Sequence, residues 1–359
     1  MRLPLALATL TLAITASHAQ PSAPTPAPMS RPYGLVLHGG AGVIQRNQMT
    51  PELEAQYRAK LAEALAAGYA VLDRGGAALD AVIATVTILE DSPLFNAGKG
   101  AVFTADGICE LDASIMNGAT LQAGAAAGLR HVKNPLKLVR DIMENSPHVM
   151  MIGEGAEQFA KSRGHELVPN EYFHTEFRRK QLEKAKEKET RATNGTASVP
   201  LDLSSPGISD MDWFTREQKY GTVGCVALDQ AGNLAAGTST GGMTNKKFGR
   251  VGDVPILGAG TYANNATCAV STTGWGEFFI RANVAHDISA QMEYAGKDVV
   301  TATAATLAKV AKLGGDGGVI ALDRAGNLTM DFNSEGMYRA AKISGRPEII
   351  AIYGDEPRR

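Results

Sequence analysis

Two stretches of this 359-residue chain are almost the same. Val226-Ala-Leu-Asp-Gln-Ala-Gly-Asn-Leu234 and Ile320-Ala-Leu-Asp-Arg-Ala-Gly-Asn-Leu328 agree at seven of nine positions. Each reads as a strand, an Asp/Gly/Asn turn and a returning strand, which is a β-hairpin. The apolar runs on either side of the turns are nearly continuous instead of alternating, so these strands need cover on both faces. Two stacked sheets with helices on both outer sides, a four-layer αββα sandwich, meet that need. A hydrophobic content of 44% supplies enough apolar side chains for such a core.

Helical spacing marks the material for the outer layers. Residues 51–72 carry it, with Thr50 as N-cap and Pro51 in the first turn. Residues 78–91 follow Gly75-Gly76, and residues 135–145 and 154–163 also read as helices. Between Ser92 and Gly118, turn residues and short apolar runs suggest strands joined by structured loops. Residues 171–190 change character, with 11 of 20 charged, and the continuation to Asp210 is polar and turn-rich. This is either a solvated helix leading to a loose loop or a linker without fixed structure. The mobile stretch is placed at about 165–221. It ends abruptly at Tyr220-Gly221-Thr222, where a strand pattern begins.

The first 19 residues have the form of a signal peptide. Arg2 gives a positive start, Leu3 to Ile14 an apolar stretch, and Ser17-His18-Ala19 a small-x-small cleavage site. Residues 20–32, rich in Pro, Ser and Ala, form a flexible lead-in. The expectation is a secreted or periplasmic enzyme without a membrane span. A formal charge of −2 leaves no excess of basic residues to grip a nucleic-acid backbone. Cys109, Cys225 and Cys268 are too few and scattered for a disulfide framework and read as small core residues. His18, His38, His131, His148, His165, His174 and His286 show no metal-ligand spacing, and His38 and His148, beside apolar runs, read as core histidines.

Gly237-Thr238-Ser239-Thr240-Gly241 fits the G-x-S-x-G nucleophile elbow, which would make Ser239 a nucleophile with His286 as its base. That motif requires a helix directly after it, and GMTNKKFGRVGD lacks helical apolar spacing. Thr222 is the better candidate. It follows a glycine, opens an apolar strand and comes directly after the polar linker. Thr238, Ser239 and Thr240 lie on the strand returning towards it. Thr272-Thr273-Gly274-Trp275-Gly276-Glu277 adds hydroxyls and glycines, and Arg250-Val251-Gly252-Asp253 sets opposite charges three residues apart. A hydroxyl nucleophile, oxyanion-type donors and a clamp for a zwitterion make a coherent site.

These residues resemble the plant-type asparaginase and isoaspartyl peptidase family. The likeness is carried by the initial HGGAG, by NAGKGAVFTADGICELDASIMNG and SPHVMMIGEGAEQFA, by the run from Gly221 to Asn265, and by STTGWGEFFIR. It extends from about Tyr33 to about Tyr353. It implies an N-terminal-nucleophile hydrolase made as one precursor and cut before Thr222. Residues 33–221 would form an α subunit and 222–359 a β subunit, both contributing to one catalytic domain, with two matured heterodimers pairing. A threonine hydroxyl is a poor nucleophile without a base, and a free α-amine with a pKa of about 7.7–8.0 is one. Cleavage between Gly221 and Thr222 would create that base.

The same resemblance implies the remaining roles. Thr273 and the N–H of Gly274 would form the oxyanion hole, and Thr240 would orient Thr222 and its amine. Arg250 would hold the substrate α-carboxylate, Asp253 would accept the α-ammonium, and Gly276 would allow close approach. Val251, Gly252 and Trp275 belong to the same substrate loops, with Trp275 either narrowing the pocket or stacking on a peptide leaving group. Asn96 would position the nucleophile region. The loop Leu89–Lys99 resembles a sodium-binding loop in which Leu89, Glu90, Ser92, Phe95, Ala97 and Lys99 contribute carbonyls. No organic cofactor is implied. The substrates expected are β-aspartyl dipeptides and L-asparagine. GlcNAc–Asn is the alternative, and a non-catalytic exported binding protein a remote one.

Overall fold

The computed structural model describes residues 31–194 and 221–359. The leader at 1–19, the lead-in as far as residue 30 and linker residues 195–220 lie outside the described residues. The first half runs β1 (Gly34–Gly42), α1 (Pro51–Asp73), α2 (Ala78–Glu90), β2 (Leu111–Asn117), β3 (Ala123–Leu129), α3 (Pro135–Asn145), β4 (Met150–Ile152), α4 (Gly153–Ser162) and α5 (Glu176–Asn194). The second half runs β5 (Val223–Leu228), β6 (Leu234–Thr240), β7 (Thr261–Ala263), β8 (Cys268–Gly274), α6 (Gly276–Ala282), α7 (Val284–Ala295) and α8 (Val299–Lys312). It closes with β9 (Gly317–Asp323), β10 (Leu328–Phe332), β11 (Gly336–Ile343) and β12 (Ile349–Tyr353).

One sheet has eight strands in the order β12-β11-β1-β5-β6-β2-β3-β4, and the other four in the order β10-β9-β8-β7. Strand alternation divides the interior into three cores. Leu35, Leu37, Val223 and Cys225 pack with Leu61, Leu65, Val82 and Leu136 of α1–α3. Val36, Val226 and Leu228 turn the other way and meet Ala269, Ile320 and Leu322 between the sheets. Val270, Val319 and Ala321 face Phe278, Val284 and Leu307 of α6–α8. The αββα sandwich expected from the unbroken apolar runs is what forms.

Both echo segments are hairpins. Leu228 pairs with Leu234 in the large sheet, and Leu322 with Leu328 in the small one. In each turn the Asp carboxylate accepts the N–H of the Asn four residues on, at 2.8 Å. α1 is capped by Thr50, whose hydroxyl accepts from the Leu53 N–H at 3.2 Å.

Of the two readings of the charged stretch, the helix is the one that forms over residues 176–194, as α5, but it is not solvated all round, since Arg178, Leu182 and Ala185 are buried. The charged faces concealed an inward stripe too short to show as an amphipathic pattern. His148 is exposed, together with Val149 and Met150, because β4 is a short edge strand paired only with β3. Cys109, Cys225 and Cys268 are free and buried as expected. Among the described residues no helix is long and apolar enough to cross a membrane.

Candidate active site

Thr222 stands one residue before β5 and is almost fully buried. The β5–β6 ladder pairs Val223 with Ser239, so Thr222 comes beside Thr240 at the end of β6. The Thr222 hydroxyl donates to Thr240 Oγ1 at 3.0 Å, and that oxygen also accepts the Gly242 N–H at 3.0 Å. Behind them, His38 Nδ1 lies 3.1 Å from the Thr222 carbonyl and its Nε2 2.9 Å from Ser271 Oγ. A carbonyl can only accept, so the proton sits on Nδ1 and Ser271 donates to Nε2. Burial pushes His38 down to about 3, which keeps the ring neutral. This is a satisfied core histidine, and it fixes the backbone of the candidate nucleophile.

The bond before Thr222 is held by glycines. Gly221 has φ +74°, and a Cβ there would lie 2.6 Å from the Gly39 carbonyl oxygen. A Cβ on Gly40 would come 2.0 Å from the Gly221 Cα. The HGGAG strand end and Gly221 therefore pack backbone against backbone, which side chains would prevent. The Gly221 carbonyl accepts the Asn96 N–H at 3.1 Å. Asn96 Nδ2 donates to the Gly242 carbonyl at 2.8 Å, and its Oδ1 accepts the Val102 N–H at 2.9 Å.

Arg250 and Asp253 approach from the loop between β6 and β7. Asp253 is buried, and burial lifts its carboxyl to about 6 despite a 2.7 Å bond from the Thr272 hydroxyl and the nearby Arg250. Arg250 is mostly buried too. Burial opposes its charge, but Glu277, which accepts from Nε and Nη2 at 2.9 Å each, together with Asp253 and Asp112 raises its pKa. Glu277 received no role from sequence, although it closes the Thr272–Glu277 cluster. Its signal was the fork geometry that an arginine seeks in a carboxylate. A Cβ on Gly276 would fall 2.8 Å from Asp253 Oδ1 and 2.9 Å from Arg250 Nη2, so glycine is required there.

Thr273 is buried and accepts the Ala41 N–H at 3.3 Å, and a Cβ on Gly274 would meet the Asp316 carbonyl at 2.5 Å. Thr222, Thr240, Asn96, Arg250, Gly252, Asp253, Thr273 and Gly274 line one small pocket. Val251 is 37% exposed and lines a neighbouring cleft. Trp275 is not part of the pocket wall. It packs edge-on against Phe278 at 4.8 Å inside the α6–α8 core, because its indole buries more apolar surface there.

Among the described residues no group of His, Cys, Asp and Glu could hold a metal ion. Two backbone carbonyls of the loop Leu89–Lys99 approach Gly100. Gly100 has φ +107°, and a Cβ there would lie 2.7 Å from both the Pro93 and the Phe95 carbonyl oxygens. The Lys99 N–H donates to the Glu90 carbonyl at 2.7 Å, folding the loop on itself. Oxygen donors of this kind suit a hard cation. The Glu90 side chain is buried, which raises its carboxyl to about 7, and it accepts the Ser239 hydroxyl at 2.7 Å. Ser239 is thus committed and fully buried, and His286 packs on Tyr262. The serine-elbow reading is overturned.

Comparison with known proteins agrees with this geometry. A family described as Asparaginase matches residues 31–351. An isoaspartyl peptidase of Escherichia coli K12 is 50% identical over 323 residues, covering 90% of this chain and 96% of its own. The isoaspartyl peptidase of Salmonella typhimurium is 49% identical, covering 89% and 98%. An isoaspartyl peptidase/L-asparaginase of Bos taurus is 39% identical, covering 89% and 96%.

Proposed function

The chain belongs to the asparaginase family, and on that premise we propose that it is an isoaspartyl peptidase and L-asparaginase. It is a threonine amidohydrolase that cuts itself before Thr222 and releases aspartate from β-aspartyl dipeptides and asparagine. The observation that carries this reading is the Thr222–Thr240 hydroxyl pair at 3.0 Å in a pocket walled by Arg250 and Asp253. The names of the relatives support it and give no support to GlcNAc–Asn as substrate.

In the precursor, Thr222 Oγ adds to the Gly221 carbonyl carbon, the C–N bond breaks, and the nitrogen leaves as the new α-amine. Water then hydrolyses the ester. The Asn96 N–H, 3.1 Å from the Gly221 oxygen, is where a donor would steady the negative charge of that step. In the mature enzyme the α-amine takes the hydroxyl proton as Thr222 attacks the substrate's side-chain carbonyl and gives it to the departing nitrogen. Water, deprotonated by the same amine, then hydrolyses the aspartyl ester, and the proton returns to Thr222 Oγ. Thr273 and Gly274 stabilise the oxyanion, Arg250 grips the α-carboxylate, and Asp253 receives the α-ammonium. Arg250 meets its substrate already oriented by Glu277, so little rotamer freedom is lost on binding.

A sodium ion on the carbonyls of Leu89, Glu90, Ser92, Phe95, Ala97 and Lys99 would stiffen the loop that carries Asn96. The leader-like residues 1–19 support export, and the family resemblance supports pairing of two αβ heterodimers. Rates on β-Asp-Leu, asparagine and GlcNAc–Asn test the substrate reading. β-Asp-Leu should be turned over fastest, and a clear preference for GlcNAc–Asn would refute it.

A further inference from the structure

We infer that His38 and the four buried hydroxyls of Ser271, Thr238, Thr261 and Ser114 form one hydrogen-bonded relay that couples the substrate clamp to the backbone of the nucleophile. This rests on the function proposed above and names residues that position Thr222 without touching substrate.

Strand register builds the relay. Ser114 of β2 stands opposite Thr238 of β6, Thr238 opposite Gly224 of β5, and Gly224 opposite His38 of β1. Two residues along the strands one way, Met116, Ala236, Val226 and Val36 make an apolar row. Two residues the other way, Asp112 stands opposite Thr240 at the active site. Gly224 is the member of the polar row without a side chain. A Cβ there would lie 2.0 Å from Ser271 Oγ and 2.5 Å from His38 Nε2. The glycine thus leaves the space in which Ser271, from the facing sheet, reaches the histidine. Thr261, paired with Ser271 in that sheet, continues the line. His38 and all four hydroxyl side chains are fully buried.

From His38 Nε2 the links run to Ser271 at 2.9 Å, on to Thr238 at 2.7 Å and to Thr261 at 2.5 Å. They end through Ser114 at 2.8 Å on the Val254 carbonyl at 2.5 Å. The one ring proton of neutral His38 sits on Nδ1, against the Thr222 carbonyl. Four hydroxyl protons therefore serve five links, and the Gly260 carbonyl, 3.4 Å from Thr238, adds an acceptor and no proton. One link must lack its proton. With the hydroxyls pointing towards His38, the Val254 end is bare; with them pointing away, Nε2 is bare. The relay thus has two states, and Val254 adjoins Asp253. An ammonium held by Asp253 repels protons from the Val254 end and turns them towards His38. A hydrogen bond accepted at Nε2 makes Nδ1–H the stronger donor, so a filled clamp tightens the hold on Thr222.

The relay can be cut without orphaning a donor. In Thr238→Val, Ser271 still serves His38, and Thr261 and Ser114 keep a proton for each remaining link. Its kcat for asparagine should stay within about threefold of wild type, and its unfolding midpoint within about 3 °C. Ser271→Ala bares Nε2, so kcat should fall about tenfold with KM held within about twofold. The coupling is read from the ¹⁵N resonance of His38 Nε2 at saturating aspartate, which should move clearly in wild type and hardly at all in Thr238→Val. No movement in wild type, or equal movement in both, would overturn the relay while leaving the proposed function standing. Equal losses of kcat in Thr238→Val and Ser271→Ala would do the same. Should Ser271→Ala fail to fold, the resonance comparison still decides. Wild-type enzyme inert towards asparagine and β-Asp-Leu would overturn that function, and the clamp's part in the relay with it.

Discussion

The hairpins β5–β6 and β9–β10 are nearly the same sequence in two different sheets, yet only one ends at the candidate active site. Their turns are built alike, with Gly232 at φ +85° and Gly326 at φ +78°. They part at the ends away from the turn. Just before β5 stands Thr222 and at the last position of β6 Thr240, hydroxyl to hydroxyl at 3.0 Å. The positions in register beyond β9 and β10 are Asp316, whose carbonyl accepts the Trp275 N–H at 3.0 Å, and Ser334, whose hydroxyl donates to the Gly336 carbonyl at 3.0 Å. The repeated nine residues make a strand and a turn. What sets the two apart lies four to six residues outside the repeat.

Four tests, made with six substitutions, sharpen or break that contrast. The largest effect belongs to Thr222→Ala, which should remain a single uncut chain on a denaturing gel and lose at least about 10⁴ in turnover. Thr240→Ala should slow turnover by about 10–10², whereas Ser334→Ala at the matching place should leave it within about twofold. Equal losses in steady-state assays would dissolve the distinction between the hairpins. The third concerns Asp253, held beside the reactive ends. Its raised pKa means that folding favours the neutral acid, a contribution present at low pH and lost as pH climbs from about 4 to about 6. Binding an ammonium requires the anion, so KM for asparagine should fall as pH rises through about 6. Asp253→Asn should flatten that limb in a KM–pH profile and melt higher than wild type above pH 6, by about 3 kcal/mol at most.

The smallest effect separates the turns themselves. Asp229 is buried and also accepts the Ala78 N–H of α2 at 3.2 Å, while Asp323 serves only its own, more exposed turn. Asp229→Ala should cost about 1–3 kcal/mol in denaturant melts and Asp323→Ala under about 1.

The layered fold was legible because strands covered on both faces cannot hide their apolar runs, as at Val223–Leu228 and Gly317–Asp323. Thr222, Thr240, Arg250 and Asp253 were legible as a constellation of residue types, and folding brings them to one pocket. Trp275 was assigned to the substrate loop by its neighbours in the chain, but its ring obeys packing and turns into the α6–α8 core. Glu277 escaped assignment, and His38 was read as a core histidine without its place behind Thr222, because pairing and orientation depend on partners 27 and 184 residues away. Charge density hid the buried stripe of α5 for a similar reason: Arg178 is counted as polar until its guanidinium is seen donating to the Gly100 carbonyl at 2.8 Å.

The most direct test is the N-terminal sequence of the smaller fragment of purified, active protein. It should read Thr-Val-Gly-Cys, with activity rising in step with the amount of fragment formed. A full-length chain that hydrolyses β-Asp-Leu while the peptide bond before Thr222 is intact would contradict the account at its root.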